Sequence, residues 1–270
     1  MKKRKSKLKK IKKPDKEELT FKTHIPGLDS LCPNGIPKGH SILVEGGPGN
    51  GKTILCLTLA KNLCQKSGKK VLYMSFEEPE ERLRNYLEYF GFECREYEKK
   101  KQFYIKRFNA LDIARSVEAL LSEAKKELLI DVQPILIPPE FKPDIVIIDS
   151  LSSIASAFSG EESRFRIYME QLFRYLESNE ITSFLIREIA SPVHIGNSFV
   201  EKGEAVSFLS DGIIVLYNIF YKAGHRKRAV ELLKMRGSDI NRKIVECEIK
   251  KKQGLVIYPH RSLKGNYILT

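Results

Sequence analysis

The chain has 270 residues, 42% of them hydrophobic, and a formal net charge of +13. That is enough apolar material for one large core, and no uninterrupted apolar run is long enough to span a membrane. The five cysteines, Cys32, Cys56, Cys64, Cys94 and Cys247, show no C-x-x-C spacing and are odd in number, which argues against a zinc site or a disulfide framework and for reduced, buried thiols.

The charge is concentrated at one end. Residues 1–13 carry nine Lys/Arg and no acid, and removing these from the total of 47 leaves 38 basic residues against 34 acidic. Residues 1–22 are therefore expected to form a basic, disordered tail ahead of a single domain over residues 23–270. Such a tail could bind nucleic acid or an anionic membrane surface by counterion release, or serve only as a solvated extension. No signal-peptide apolar segment follows the basic start, so a cytoplasmic protein is expected.

The stretch HIPGLDSLCPNGIPKGH reads as turns leading into the domain. Short apolar runs follow at 41–45 (SILVE), 71–75 (VLYMS), 145–149 (IVIID), 183–186 (SFLI) and 212–217 (GIIVLY), with longer helical patterns between the early ones. This alternation predicts βαβ units and a mostly parallel sheet buried on both faces.

Between the first strand and its helix stands EGGPGNGKT. Gly46-x-x-x-x-Gly51-Lys52-Thr53 fits a phosphate-binding loop in its required setting of strand before and helix after. Gly46, Gly47, Pro48, Gly49, Asn50 and Gly51 can turn successive N–H groups inward as a nest for phosphates. Lys52 is expected on the β- and γ-phosphates, and Thr53 is expected to place its hydroxyl on Mg²⁺. The following helix should bury Cys56, Leu59, Ala60 and Leu63 and stop at Gly68.

VLYMSFEEPEE ends the second strand on two acids. Glu77 is the candidate for polarising the attacking water, while Glu78 is expected to cap a helix with Pro79 at its first position and Glu80 and Glu81 in its first turn. PDIVIIDSLSS puts Asp149 at the C-terminal end of an apolar strand, where ligands sit in open α/β sheets, so this carboxylate is expected to orient a water on Mg²⁺. Beyond Tyr217 the runs AVELLKM, IVECEI and GLVIYP predict antiparallel strands extending the sheet.

Read together, IPGLDSL, GIPKGHSILVEGGPGNGKT, VLYMSFEE, PDIVIIDSLSSI, FLSDGIIVLY and LLKMRGSD resemble the KaiC domain of the RecA-like ATPase superfamily, over about Thr23 to Pro259. The resemblance implies a RecA-like α/β fold, ATP and Mg²⁺ as ligands, Lys52 and Thr53 as phosphate and metal contacts, Asp149 as the second carboxylate, and Glu77 with Glu78 as the catalytic pair. It also implies that Lys234 and Arg236 reach a neighbouring subunit's γ-phosphate, in a homo-oligomer for which a hexameric ring is preferred. Two residues apart on a strand, they should share a face, with Gly237 allowing a sharp exit. Arg228 is a further candidate for that interface.

The sequence departs from the clock protein that gives the family its name. There is one domain rather than two, and Ser207-Phe208 stands where that protein phosphorylates adjacent Ser and Thr, which argues against autophosphorylation. Arg187 precedes Glu188 where the family often has a small polar residue. The leading functional expectation is an ATP hydrolase. The alternatives are a recombination-related ATPase binding single-stranded DNA and a non-hydrolysing ATP-dependent scaffold. For the DNA reading, the two candidate loops ASAFSGEESRFR and SPVHIGNSFVEKGE are not notably basic.

Overall fold

The computed structural model describes residues 19–115, 137–138, 140–158, 162–189, 204–222 and 224–270. The basic segment 1–18 and most of the second candidate DNA loop lie outside the described residues. A two-stranded ribbon pairs β1 (Thr20–Phe21) with β2 (Ile36–Pro37), and between them runs the short helix α1 (Pro26–Leu31). This corrects two expectations: residues 20–21 belong to the folded body rather than to the tail, and the Gly/Pro-rich entry is partly helical. Asp29 explains the helix, because its carboxylate accepts from the N–H groups of Thr23 and His24 and holds the chain just ahead of Pro26.

The main sheet contains β3 (Ser41–Gly46), β4 (Val71–Ser75), β5 (Phe103–Arg107), β6 (Ile145–Asp149), β7 (Thr182–Glu188), β8 (Gly212–Tyr221), β9 (Arg226–Met235), β10 (Val245–Lys250), β11 (Gly254–Ser262) and β12 (Tyr267–Leu269). Its order is β5-β4-β6-β7-β3-β8-β9-β10-β11, with β12 also on β8. From β5 to β8 every pair is parallel, and from β8 to β11 every pair is antiparallel. The mixed α/β architecture expected from the strand pattern is therefore the one observed.

The central strands are apolar throughout because both faces are covered. Ile42, Val44, Val71, Tyr73, Ile145 and Ile147 enter one core cluster, while their alternates Leu43, Leu72, Met74, Val146 and Ile148 enter the other. On the first face lies α2 (Lys52–Ser67), which buries Cys56, Leu59, Ala60 and Leu63 and ends where Gly68 turns left-handed at φ 62°. On the second lies α6 (Glu162–Ser178), burying Tyr168, Met169, Leu172, Phe173 and Leu176 at helical spacing. All five cysteines are buried free thiols. Among the described residues no helix is long and apolar enough to cross a membrane.

Candidate active site

The parallel strands end together on one edge of the sheet, and the phosphate-type loop springs from that edge after β3. Its first residue, Gly46, has φ 152° and runs so close to β8 that a Cβ there would lie 2.5 Å from the Leu216 carbonyl oxygen. Glycine is therefore required by both torsion and space. At the far end Gly51, at φ 101°, leads directly into α2, which has no side-chain N-cap. The first N–H groups of that helix are left available to an anion.

Lys52 is buried at the mouth of α2. Its Nζ donates to the carbonyls of Gly46 and Gly47, each at 2.9 Å, and meets Glu188 Oε1 at 3.4 Å. The Asn50 side chain acts within the protein itself. Its fully buried amide donates to the Leu216 carbonyl at 2.7 Å and to the Thr270 carbonyl at 3.3 Å, so the side chain pins the loop to β8 and to the segment after β12.

Across the cleft, Asp149 closes β6. Its Oδ2 accepts from Thr53 Oγ1 at 2.9 Å and from the Tyr73 hydroxyl at 2.7 Å. Burial pushes the Asp149 carboxyl above its usual range, and repulsion from Glu77 adds to this, against the Tyr73 and Thr53 hydrogen bonds and the Lys52 charge. Tyr73 was not among the site residues expected from the sequence, although a hydroxyl within the otherwise apolar run VLYM was a signal. It lies on the same face as Asp149, in the neighbouring strand.

Glu77 follows β4. Its Oε1 accepts from Ser150 Oγ and Ser153 Oγ, both at 2.6 Å, at the start of α5 (Leu151–Ala157), where Ser150 is the N-cap. Glu78 turns elsewhere. It pairs with Arg82 at 2.8 Å, and the cap of α3 (Glu80–Tyr89) is Pro79 with no side-chain hydrogen bond. Pro79 thus sits one position earlier than expected and Glu78 does not cap, because an (i, i+4) arginine offers its carboxylate a better partner.

Together Gly49, Gly51, Lys52, Thr53, Glu77 and Asp149 line a cleft of about 240 Å³. The Thr53 hydroxyl and the Asp149 carboxylate are hard oxygen donors on one wall, which suits Mg²⁺, an ion that keeps several waters and takes few protein ligands beside phosphates. Among the described residues, no group of three or more His, Cys, Asp or Glu could hold a metal by itself. Replacing the buried acid should separate its two roles. Asp149→Asn is expected to abolish magnesium-dependent nucleotide binding while raising the unfolding midpoint of the nucleotide-free protein. A carboxyl with a raised folded-state pKa binds its proton more tightly folded than unfolded. The parent therefore loses this share of stability as pH climbs from the ordinary carboxylate value toward the raised one, and the variant does not. Thermal melts at stepped pH values check both statements.

Beneath the loop, Glu45 on β3 and Arg187 on β7 are cross-strand neighbours and pair at 3.1 Å, with Glu45 fully buried. Ser207 Oγ in α7 (Glu204–Leu209) approaches the same carboxylate at 3.4 Å. The residue before Glu188 thus neutralises an acid in the core.

Lys234 and Arg236 are not brought to this cleft. β8 aligns Gly212 with Ile42 and Leu216 with Gly46, so Asp211, one residue before Gly212, stands at the opposite edge of the sheet, about 17 Å from the loop along the strand. There Arg236 Nη1 meets Asp211 Oδ1 at 3.2 Å, and Lys234 Nζ donates to the Ser210 carbonyl at 2.5 Å. Arg236 lies just past the end of β9, and the register of β8 with β9 shifts near Leu233, so the two cations are not simple alternate residues of a regular strand. Gly237 follows at φ 69°, the turn expected of it. Arg228 parts company with them. Its Nε donates to the Gly49 carbonyl of its own loop at 3.3 Å, on the cleft edge.

The family model described as "ATPase: KaiC" matches residues 21–262. A UPF0273 protein of Pyrococcus horikoshii is 28% identical over 255 residues, covering 92% of this chain and 97% of the relative. The circadian clock oscillator protein KaiC of Thermosynechococcus vestitus is 27% identical over 238 residues, which span 88% of this chain but 42% of that protein. Among solved structures, a KaiC-like protein of the hyperthermophilic archaeon Pyrococcus horikoshii superposes with a TM-score of 0.68 at 26% identity, covering 89% of this chain and 99% of that one.

Proposed function

Because the chain belongs to the KaiC ATPase family, we propose that it is a magnesium-dependent ATPase whose reaction centres lie between neighbouring copies of the chain in a head-to-tail homo-oligomer, with a six-membered ring preferred. The observation that carries this reading is the pairing of Thr53 with Asp149 across the cleft from Glu77, while Arg236 stands on the far edge of the same sheet. A head-to-tail contact would bring the far edge of one copy to the cleft of the next.

The loop amides and the first turn of α2 bind the phosphates, and Lys52 exchanges the Glu188 carboxylate for phosphate oxygens. Thr53 and Asp149 would hold Mg²⁺, which would supply neutralisation of the triphosphate charge. Glu77 supports hydrolysis over mere binding, because its carboxylate is already oriented by two serine hydroxyls. It accepts a proton from the attacking water as the water oxygen bonds to the γ-phosphorus and the bond from that phosphorus to the β–γ bridging oxygen breaks, so that ADP and phosphate leave. Arg236 of the adjoining copy meets the charge that develops on the transferred group, with Lys234 behind it.

Phosphate release from Mg·ATP by the intact chain tests the proposal. Lys52→Ala is expected to lose detectable binding and turnover together. Equal phosphate release by parent and variant would overturn the reading.

A further inference from the structure

The cations on the far edge are held in an organised way. Arg236 Nη1 meets Asp211 Oδ1 at 3.2 Å and its Nη2 donates to the Phe208 carbonyl at 3.1 Å, while the other Asp211 oxygen, Oδ2, accepts from the backbone N–H of Ser41 at 3.1 Å. The backbone repeats the tie, since Arg236 N–H donates to the Asp211 carbonyl and Asp211 N–H to the Ser41 carbonyl, both at 2.8 Å. Ser41 is the first residue of β3, the strand that ends in the phosphate loop. One carboxylate thus fixes the arginine to the frame of its own nucleotide cleft.

Lys234 is differently placed from Arg236. Its Nζ is half-buried and donates to the carbonyls of Ser207 and Ser210, at 3.2 and 2.5 Å, which close the last turn of α7 and the residue after it. The Arg236 side chain is 55% exposed. A guanidinium has five N–H donors, and the two bonds named leave three for an incoming phosphate.

We propose that Asp211 and Lys234 are positioning residues: Lys234 secures the end of α7, Asp211 locks Arg236 against that end and against the start of β3, and only Arg236 meets the neighbour's nucleotide. This rests on the shared-site reading above and assigns within it roles that the K-M-R-G pattern alone leaves undivided. A positioning carboxylate raises turnover by limiting the arginine to one direction before the nucleotide arrives, so entropy is not lost at the transition state.

The test uses full-length chains carrying two different tags and co-expressed in pairs. Asp211→Asn keeps the side-chain shape but removes the charge that holds Arg236. Alone it is expected to lower kcat about 10-fold with KM for Mg·ATP within about twofold, because its own loop is untouched. Paired with Lys52→Ala, it should recover to about one quarter of the wild-type rate, the share of randomly formed interfaces that join a sound loop to a sound arginine. Arg236→Ala paired with Lys52→Ala should recover to the same level. Recovery in that control but not with Asp211→Asn would mean Asp211 serves its own cleft, and the proposal would fail. No recovery in either would remove the shared site and this inference with it. For the lysine, Lys234→Met is expected to cost about 3- to 10-fold in kcat, whereas a loss as large as that of Arg236→Ala would make Lys234 a phosphate contact instead.

Discussion

Arg236→Ala is expected to cut ATP turnover by about 10³-fold or more while leaving the affinity of each chain for Mg·ATP within a few-fold of the parent. The size follows from the role. An arginine that meets charge only as the phosphoryl group transfers contributes to kcat and scarcely to ground-state binding. The selectivity follows from place, because Arg236 lies across the sheet from Lys52 in its own chain and touches Asp211 and Phe208 rather than the loop. Single-turnover phosphate release alongside calorimetric nucleotide binding reads the two quantities separately. Turnover that survived in full would show that each chain hydrolyses ATP unaided.

Glu77→Gln is the second large effect. A positioned general base contributes roughly 10²–10⁴-fold, and the amide retains the volume but not the basicity, so kcat should fall by that factor with Mg·ATP still bound. Ser150 and Ser153 make the test clean. Each donates to Glu77 Oε1 at 2.6 Å, and a glutamine oxygen can accept the same two bonds, so orientation is kept while charge is lost. Glu78→Gln provides the contrast. That carboxylate pairs with Arg82 on α3, and its replacement should alter turnover by less than about twofold. Equal losses from the two variants would return Glu78 to the chemistry.

Much of this arrangement was legible in the chain itself. The strands at 41–46, 71–75, 145–149 and 212–221 are runs whose two faces are both buried, and continuous apolarity is what that burial requires. Gly46 declared itself because torsion and space both exclude other residues there, and Gly49 and Gly51 because of torsion. What escaped notice was set by partners distant in sequence. β5, with Lys106 and Arg107 in a five-residue strand, becomes a strand only by pairing with β4. β12 is three residues long and exists through β8. The hold of Ser150 on Glu77 spans 73 positions, and that of Asp211 on Ser41 spans 170. Pattern along a chain reports burial and local torsion well, but it carries no record of which polar atoms meet across a fold. Spacing in the K-M-R-G segment suggested two equivalent cations, and the hydrogen bonds distinguish them.

The enclosure of Lys52 bears on which anions the loop selects. Its ammonium has three hydrogens and three acceptors around it, two carbonyls and a carboxylate, so its charge is already balanced by the protein. A lone inorganic phosphate must evict Glu188 to gain one contact, and the exchange of one anionic partner for another yields little. A triphosphate does the same while also engaging the helix end and the metal ligands. Discrimination against small anions in a phosphate-rich solution is thereby built into the surroundings of Lys52.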